Sequence, residues 1–210
     1  MNLYSIISLI ILAILICSIG LTLYFDLGTP APDYTLISSN NEYEIRKYPS
    51  VITASVTIDA IQQYPGNRVF NILADYIYGN NISRQKIAMT KPVLSELKSD
   101  VIPLTAPVLE KKDASTYTMT FILPSTYTLE NVPKPNDSRI VLAYKPEQKI
   151  AVLKFGWYVS VNRVDHKIQK LKKLLEKDRV IMTGAPVLAR YNPPFAFPLL
   201  MRNEIWIPVQ

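Results

Sequence analysis

The chain has 210 residues, of which 49% are hydrophobic and 19% charged, and its formal net charge is +6. This length suffices for one domain of ordinary size beside an apolar N-terminal segment. One histidine and one cysteine argue against a zinc site and against catalysis by a histidine- or cysteine-centred nucleophile.

Residues 1–25 are predicted to form an N-terminal transmembrane anchor. Residues 3–25 carry no charge and are mostly Ile and Leu. At ~1.5 Å per residue they reach ~34 Å, which is enough to cross a bilayer core of about 30 Å. The length of the run and the lack of preceding Lys or Arg favour an uncleaved anchor over a signal peptide. An apolar helix buried in a soluble protein is the alternative.

Residues 26–41 are predicted to be a short, stiff linker that holds the domain close to the bilayer. All 23 Lys and Arg residues follow this linker, whereas Asp26 and Asp33 lie within it, so residues 41–210 carry a formal charge of +8. Arg46, the first basic residue, is too far from the membrane to orient the chain strongly. The two aspartates favour a single-pass arrangement with an extracytoplasmic domain. Cys17 lies in the anchor, so the domain has no thiol that could report on its compartment.

Residues 42–210 are predicted to form one α+β domain. Alternating β-branched residues predict strands, and two stretches with a 3.6-residue period predict helices. In chain order the elements are strands 43–48 and 51–58, a helix 67–78, strands 86–94, 101–109, 117–123, 140–144 and 150–158, a helix 163–177, and strands 180–191 and 202–209. Gly79, followed by two asparagines, is predicted to end the first helix in a left-handed conformation.

A short motif that occurs three times indicates that the domain has two halves. It reads Met89-Thr90-Lys91-Pro92-Val93, Leu104-Thr105-Ala106-Pro107-Val108 and, one residue longer, Met182-Thr183-Gly184-Ala185-Pro186-Val187. The outer copies each follow a predicted helix, and similarity at a long fixed offset is typical of a unit used twice. We therefore predict two pseudo-symmetric halves with one helix each.

The second helix has an ordinary amphipathic pattern. Its apolar residues fall within one stripe: Val164, Ile168, Leu171 and Leu175. His166 points away from that stripe and shares its side of the helix with Lys170, Lys173 and Lys177. We interpret this side as a solvated basic face, which an axial heme ligand would not occupy.

The first helix carries more apolar surface than a one-sided core requires, an arc of ~200° against ~100°. If Val69, Ile72, Leu73 and Tyr76 serve the core, then Phe70, Ala74 and Ile77 form a second apolar flank. Burial under a neighbouring loop explains this flank at least as well as a surface for a flat apolar ligand, for which the small Ala74 would leave room.

Motifs along residues 42–208 resemble, in order, those of the SOUL heme-binding family. They are Tyr43-Glu44-Ile45-Arg46-Lys47-Tyr48, Tyr76-Ile77-Tyr78-Gly79-Asn80-Asn81, Lys86-Ile87-Ala88-Met89-Thr90-Lys91-Pro92-Val93, Tyr117-Thr118-Met119-Thr120-Phe121, Tyr191-Asn192-Pro193-Pro194-Phe195 and Arg202-Asn203-Glu204-Ile205-Trp206. The resemblance implies a distorted antiparallel β-barrel of two pseudo-symmetric halves with one helix each. It also implies that heme or porphyrin binds an apolar site between the first helix and a loop at 184–189.

Carried over to this chain, the implied site comprises Arg68, Phe70, Leu73, Ala74, Ile77 and Val187. Some members of the family place an iron-ligating histidine in the opening strand region, where this chain has Arg46, Lys47 and Tyr48. The resemblance therefore implies a macrocycle held by apolar contacts without histidine ligation. Met89, Met119 and Met182 offer thioethers, but methionines in strand patterns are more often core residues.

Three functions are compatible with the sequence. The first is a membrane-anchored tetrapyrrole-binding protein that buffers or delivers heme. The second is an effector-type domain that binds other small amphipathic molecules. The third is an interaction module that docks its basic helix face on anionic lipid or an acidic partner. We predict no catalytic or metal-binding residues, no enzymatic activity and no nucleic-acid partner, since no such constellation or basic stripe is apparent.

Overall fold

The computed structural model describes residues 2–59, 66–99 and 115–210. The helices are α1 (Leu3–Gly28), α2 (Gly66–Ile77) and α3 (Val161–Lys177), and a short 3-10 helix spans Pro198–Leu200. The strands are β1 (Thr35–Ser39), β2 (Glu44–Tyr48), β3 (Val51–Asp59), β4 (Val93–Ser99), β5 (Ser115–Ile122), β6 (Ile140–Lys145), β7 (Gln148–Phe155), β8 (Val187–Arg190) and β9 (Asn203–Val209). The two domain helices begin and end within two residues of the predicted positions. The predicted strand 101–109 lies outside the described residues.

Local signals in the sequence fix the ends of the two domain helices. Gly79, just after α2, has a φ of +116°, which confirms the predicted left-handed stop. Asn81 supports this end because its Nδ2 donates to the carbonyl oxygen of Tyr76 at 3.1 Å. At the start of α3, the Ser160 hydroxyl accepts a hydrogen bond from the amide of Arg163 at 3.4 Å.

The strands form one antiparallel sheet in the order β1-β2-β7-β9-β8-β4-β5-β3-β6. It curls into a half-barrel, with β1 and β6 at the ends of this order. The predicted α+β class and antiparallel pairing are confirmed, and the barrel takes this half-open form. Strands β4 and β8 begin at the last residue of the outer copies of the repeated motif, and they pair with each other at the centre of the sheet.

The structure corrects several sequence-based expectations about strands. The predicted strand 180–191 is confined to β8, with an isolated bridge between Met182 and Val209 before it. The predicted linker 26–41 contains β1, which pairs with β2 so that Thr35 lies opposite Lys47 and Ser39 opposite Glu44. All side chains of β1 are exposed, so neither face of the strand requires apolar residues. The sequence therefore lacks the alternation of apolar and polar residues that marks a half-buried strand. The predicted strand 86–94 begins only at Val93. The residues before it instead cover α2, where the Ile87 amide donates to the Ile77 carbonyl oxygen at 2.8 Å.

The two helices α2 and α3 cover the same face of the sheet, here called the outer face. Because strand side chains alternate in direction, every second residue of each strand faces these helices. One core forms under α2 with Ala54, Val56 and Phe121, and another under α3 with Leu153 and Ile205. The opposite, inner face carries a third cluster that contains Tyr48, Ile122, Ile150, Ala189 and Trp206.

Candidate functional site

The inner face of the sheet lines a cleft of about 230 Å³. Its walls combine apolar and aromatic side chains with hydroxyl groups, including those of Tyr48, Ile122, Val187, Trp206, Thr118 and Thr120. The rings of Tyr48 and Trp206 lie 4.7 Å apart between centroids. Sites for drug-sized ligands usually measure ~300–1,000 Å³. In this form the cleft therefore suits a molecule smaller than a macrocycle.

A buried ionic network lies beside the cleft and holds its aromatic residues. Arg46 and Glu204 are both 0% exposed, and two Arg46 nitrogens donate to the Glu204 carboxylate at 3.1 and 3.2 Å. The same carboxylate accepts from the Trp206 indole at 2.7 Å and from the Tyr191 hydroxyl at 2.8 Å. Arg202 adds two further donors at 2.7 and 3.0 Å. These contacts join strand β2 to β9, which lies two strands away in the sheet.

The electrostatics of the network keep it ionised at neutral pH. Burial alone would raise the pKa of Glu204, but Arg46, Arg202 and the indole of Trp206 hold the pKa below its ordinary value. Burial would lower the pKa of Arg46, and the adjacent Glu204 raises it instead. Burial and Glu204 raise the pKa of Tyr191, so its hydroxyl stays a donor. The Glu204 carboxylate already accepts hydrogen bonds from Arg46, Arg202, Tyr191 and Trp206. We therefore infer that the network positions the aromatic side chains of the inner face.

The predicted residues on α2 fall into a buried and an accessible set. Leu73 and Ile77 are 0% and 1% exposed, and Ala74 is almost fully buried. Phe70 is half-buried and contacts Phe121 edge-on, with ring centroids 5.5 Å apart. Arg68 is exposed. Ile77, assigned to the second apolar flank, is covered by the loop that contains Ile87, which is the alternative of burial under a neighbouring loop.

Val187 lies apart from the residues on α2. It sits on β8, lines the inner cleft and packs with the inner-face cluster. The residues of α2 pack against the outer face. The six predicted residues are therefore divided between two faces of the sheet.

Comparison with known proteins establishes the family of this domain. A family model described as SOUL heme-binding protein matches residues 29–208. The chain belongs to the SOUL family. Human Heme-binding protein 2 is 28% identical to this SOUL chain over 167 residues, which covers 79% of this chain and 77% of the relative. Mouse Heme-binding protein 2 is 27% identical over the same length.

Solved structures share the fold of the SOUL domain at low sequence identity. The C-terminal domain of EcmrR matches with a TM-score of 0.59 and 12% identity, covering 84% of this chain and 98% of that domain. An uncharacterized conserved protein from Listeria innocua matches with a TM-score of 0.56 and 15% identity, covering 87% and 93%. At these identities the likeness concerns the fold alone.

The basic face of α3 agrees with the sequence analysis. His166 is exposed, as predicted, and so are Lys173 and Lys177. Lys170 forms an ion pair with Glu42, which neutralises part of this face. Among the methionines, Met119 is buried and Met89 is half-buried against the same core. Their burial favours a packing role.

Sequence reasoning did not identify the Arg46–Glu204 network. Both residues belong to motifs that resemble the family, but 158 positions separate them in the chain. Their pairing depends on β7, which brings β2 and β9 together. The signal that could have pointed to it is the Arg202-Asn203-Glu204-Ile205-Trp206 stretch, where charged residues stand inside an apolar strand pattern.

Proposed function

We propose that this SOUL protein binds a tetrapyrrole, heme or porphyrin, and buffers or delivers it at a membrane. The observation that carries the proposal is the family match over residues 29–208. It is supported by relatives named Heme-binding protein 2, which cover most of the domain. We propose binding rather than catalysis as the role of the domain.

We propose the accessible part of α2 as the tetrapyrrole site, with Phe70 as its apolar contact. Phe70 is half-buried on the core, so the exposed part of its ring can contact a flat apolar ligand while the rest stays packed on the core. Arg68 is exposed two positions earlier, and therefore on another side of the helix, so it can pair only with a propionate that extends around the helix from the ring. Leu73, Ala74 and Ile77 support this surface from within the core. These residues fit a macrocycle bound at the surface by apolar and ionic contacts.

The proposed site does not use a histidine to ligate iron. The chain has a single histidine, His166, which is exposed on α3 and not on the helix that carries the proposed site. Without ligation, affinity comes from the macrocycle and its carboxylates. Metal-free porphyrin should then bind as well as hemin.

Two variants on α2 test this site. Phe70→Asp should abolish binding of hemin and protoporphyrin, because it sets an anionic group against an apolar, anionic ligand. Tyr78→Asp is the matched control, since Tyr78 is an exposed aromatic residue just after the same helix. Equal binding by both variants would exclude the site on α2.

We further propose that α1 anchors the domain in a membrane as a single-pass helix. It has 26 residues and a mean hydropathy of 2.9 over its most apolar window, which by length and composition is enough to cross a bilayer. A helix that is apolar all round and exposed along most of its described length calls for a lipid environment. The aspartates at 26 and 33 favour an extracytoplasmic domain.

We propose that the domain consists of two halves related by pseudo-symmetry. The proposal is supported by the strand order. The boundary between β8 and β4 separates β7, β9 and β8 on one side from β4, β5 and β3 on the other. Helix α2 follows β3, and α3 follows β7. The outer copies of the repeated motif then take corresponding places.

A second candidate function is favoured by the inner cleft. Its volume of about 230 Å³ and its mixed hydroxyl and aromatic lining suit a small amphipathic molecule better than a macrocycle. Competition separates the two candidates. A small ligand of the cleft should leave tetrapyrrole binding at α2 unchanged, and Val187→Trp should block only the small ligand.

A further inference from the structure

We propose that an exposed apolar patch beside the end of α1 rests in the membrane interface, so that the domain lies on the bilayer surface. The patch consists of Trp157, Tyr158, Phe195, Leu199 and Leu200, whose exposed fractions range from 41% to 72%. The two segments adjoin because Gly156, just before Trp157, lies against the carbonyl oxygen of Met201, just after Leu200. Exposed apolar residues grouped in this way often mark an interaction site. The inference rests on the proposed insertion of α1.

The C-terminal end of α1 is fixed to the domain at the patch. The amide of Phe197, between the apolar residues of the loop, donates to the Thr22 hydroxyl at 2.8 Å. On the other side, Lys91 forms an ion pair with Asp26 at 2.8 Å, and its amide donates to the Pro30 carbonyl oxygen at 2.9 Å. The helix therefore has a set orientation to the patch and is not joined to it by a free tether.

These contacts determine the depth of the patch along the helix. Thr22 precedes Asp26, the first charged residue, by four positions, or ~6 Å at 1.5 Å per residue. The loop thus meets α1 on the membrane side of its first charge. Thr22 is 1% exposed, and it is the only residue counted as buried among the described side chains of α1. Ser18 and Ile19 are half-buried, and most of the other described residues of α1 are exposed and available to lipid.

The composition of the patch and its surroundings fits a lipid interface. Residues 193–201 contain no charged residue. Trp and Tyr prefer the headgroup region, where the ring is in apolar surroundings and the polar atom stays hydrated. The Trp157 carbonyl oxygen accepts from the Asn203 side chain at 2.9 Å, which joins this aromatic pair to the end of the loop. Arg163, bonded to the Gly156 carbonyl oxygen, and the partly exposed Arg202 stand nearby to meet lipid phosphates.

The test uses the full chain in vesicles of phosphatidylcholine and phosphatidylglycerol, with a nitrobenzoxadiazole probe on one cysteine at a time. The native Cys17 reports on insertion of α1. Leu199→Cys reports on the patch and Glu147→Cys is the control, both in a Cys17→Ser background. Glu147 is exposed and lies just before the first residue of β7. The last residue of β7 adjoins the patch, and the strand is ~23 Å long at 3.3 Å per residue, so Glu147 lies far from the patch. Nitroxide groups on the lipid acyl chains quench probes that enter the bilayer.

We expect quenching at position 199 to exceed that at position 147 severalfold, with a blue-shifted emission. Equal, weak quenching at 199 and 147 with strong quenching at Cys17 would overturn the patch inference and leave the anchor standing. Weak quenching at all three positions would mean that α1 does not insert, which refutes the anchor and the inference together.

Discussion

The buried ion pair between Arg46 and Glu204 offers the sharpest test of how the inner face is held together. Replacing Glu204 with Gln keeps the size of the side chain and removes its charge. Arg46 is 0% exposed, and among the described residues it then keeps Glu44, at 2.6 Å, as its one anionic partner. An amide also presents an NH2 group to the indole of Trp206 and the hydroxyl of Tyr191, which are both donors.

The expected cost follows from the burial of the pair. Removing one partner of a buried ion pair typically destabilises a protein by ~3–5 kcal/mol, because the other charge stays buried without compensation. Glu44 retains part of the interaction with Arg46, so we expect about 3 kcal/mol. With a urea dependence of ~2 kcal/mol per M, the unfolding midpoint of Glu204→Gln should fall by ~1.5 M.

The assay is urea unfolding of the full chain in mild detergent, followed by far-ultraviolet circular dichroism. Glu147→Gln is the matched control, since Glu147 makes an exposed ion pair with Lys47 at 2.9 Å. An exposed pair contributes ~0–1 kcal/mol, so the midpoint of the control should barely move. Equal midpoints for the two variants would refute the assignment of Glu204 as the charge that organises the inner face.

Four further predictions follow from the structure. The pKa of Glu204 in the folded state lies below its ordinary value of 4.5. The ion pair therefore stabilises the fold fully above pH ~4.5, and this stabilisation is lost as the pH falls through the pKa of the folded state. The stability gap between the wild type and Glu204→Gln, measured by thermal unfolding, should therefore narrow below pH ~4.5, and a constant gap would contradict this assignment. Phe70→Asp should abolish tetrapyrrole binding in a Soret titration while the far-ultraviolet spectrum stays native, and unchanged binding would exclude the proposed contact. His166→Ala should leave any heme spectrum intact, and a lost Soret shift would show that His166 reaches the iron. Leu73→Ala should destabilise the domain by ~2–5 kcal/mol in urea unfolding, since Leu73 is 0% exposed, and a cost below ~1 kcal/mol would mean that the core under α2 is loosely packed.

The helices could be predicted from sequence because local signals define them. Gly79 takes the left-handed conformation that the stop requires, and Ser160 caps α3 through its hydroxyl. The exposed side of α3 followed from its amphipathic period, and His166 is exposed as that period indicates. Each of these features depends on residues within a few positions along the chain.

Features set by distant parts of the chain could not be predicted in the same way. Strand β1 is exposed along its whole length, and only its partner β2 defines it as a strand. The burial of Ile77 depends on the loop at Ile87, which no helical period encodes. The pairing of Arg46 with Glu204 needs the order of β2, β7 and β9 in the sheet. The tetrapyrrole site stays a prediction that rests on family membership and on the accessibility of Phe70.

The most direct test of the proposed function is a titration of the full chain in detergent with hemin and with protoporphyrin, followed by the Soret band and tryptophan quenching. We predict saturation at one equivalent with micromolar or tighter affinity, and equal affinity for the metal-free ring. Weak, unsaturable binding of both ligands would contradict the account and would leave a SOUL domain that serves another molecule.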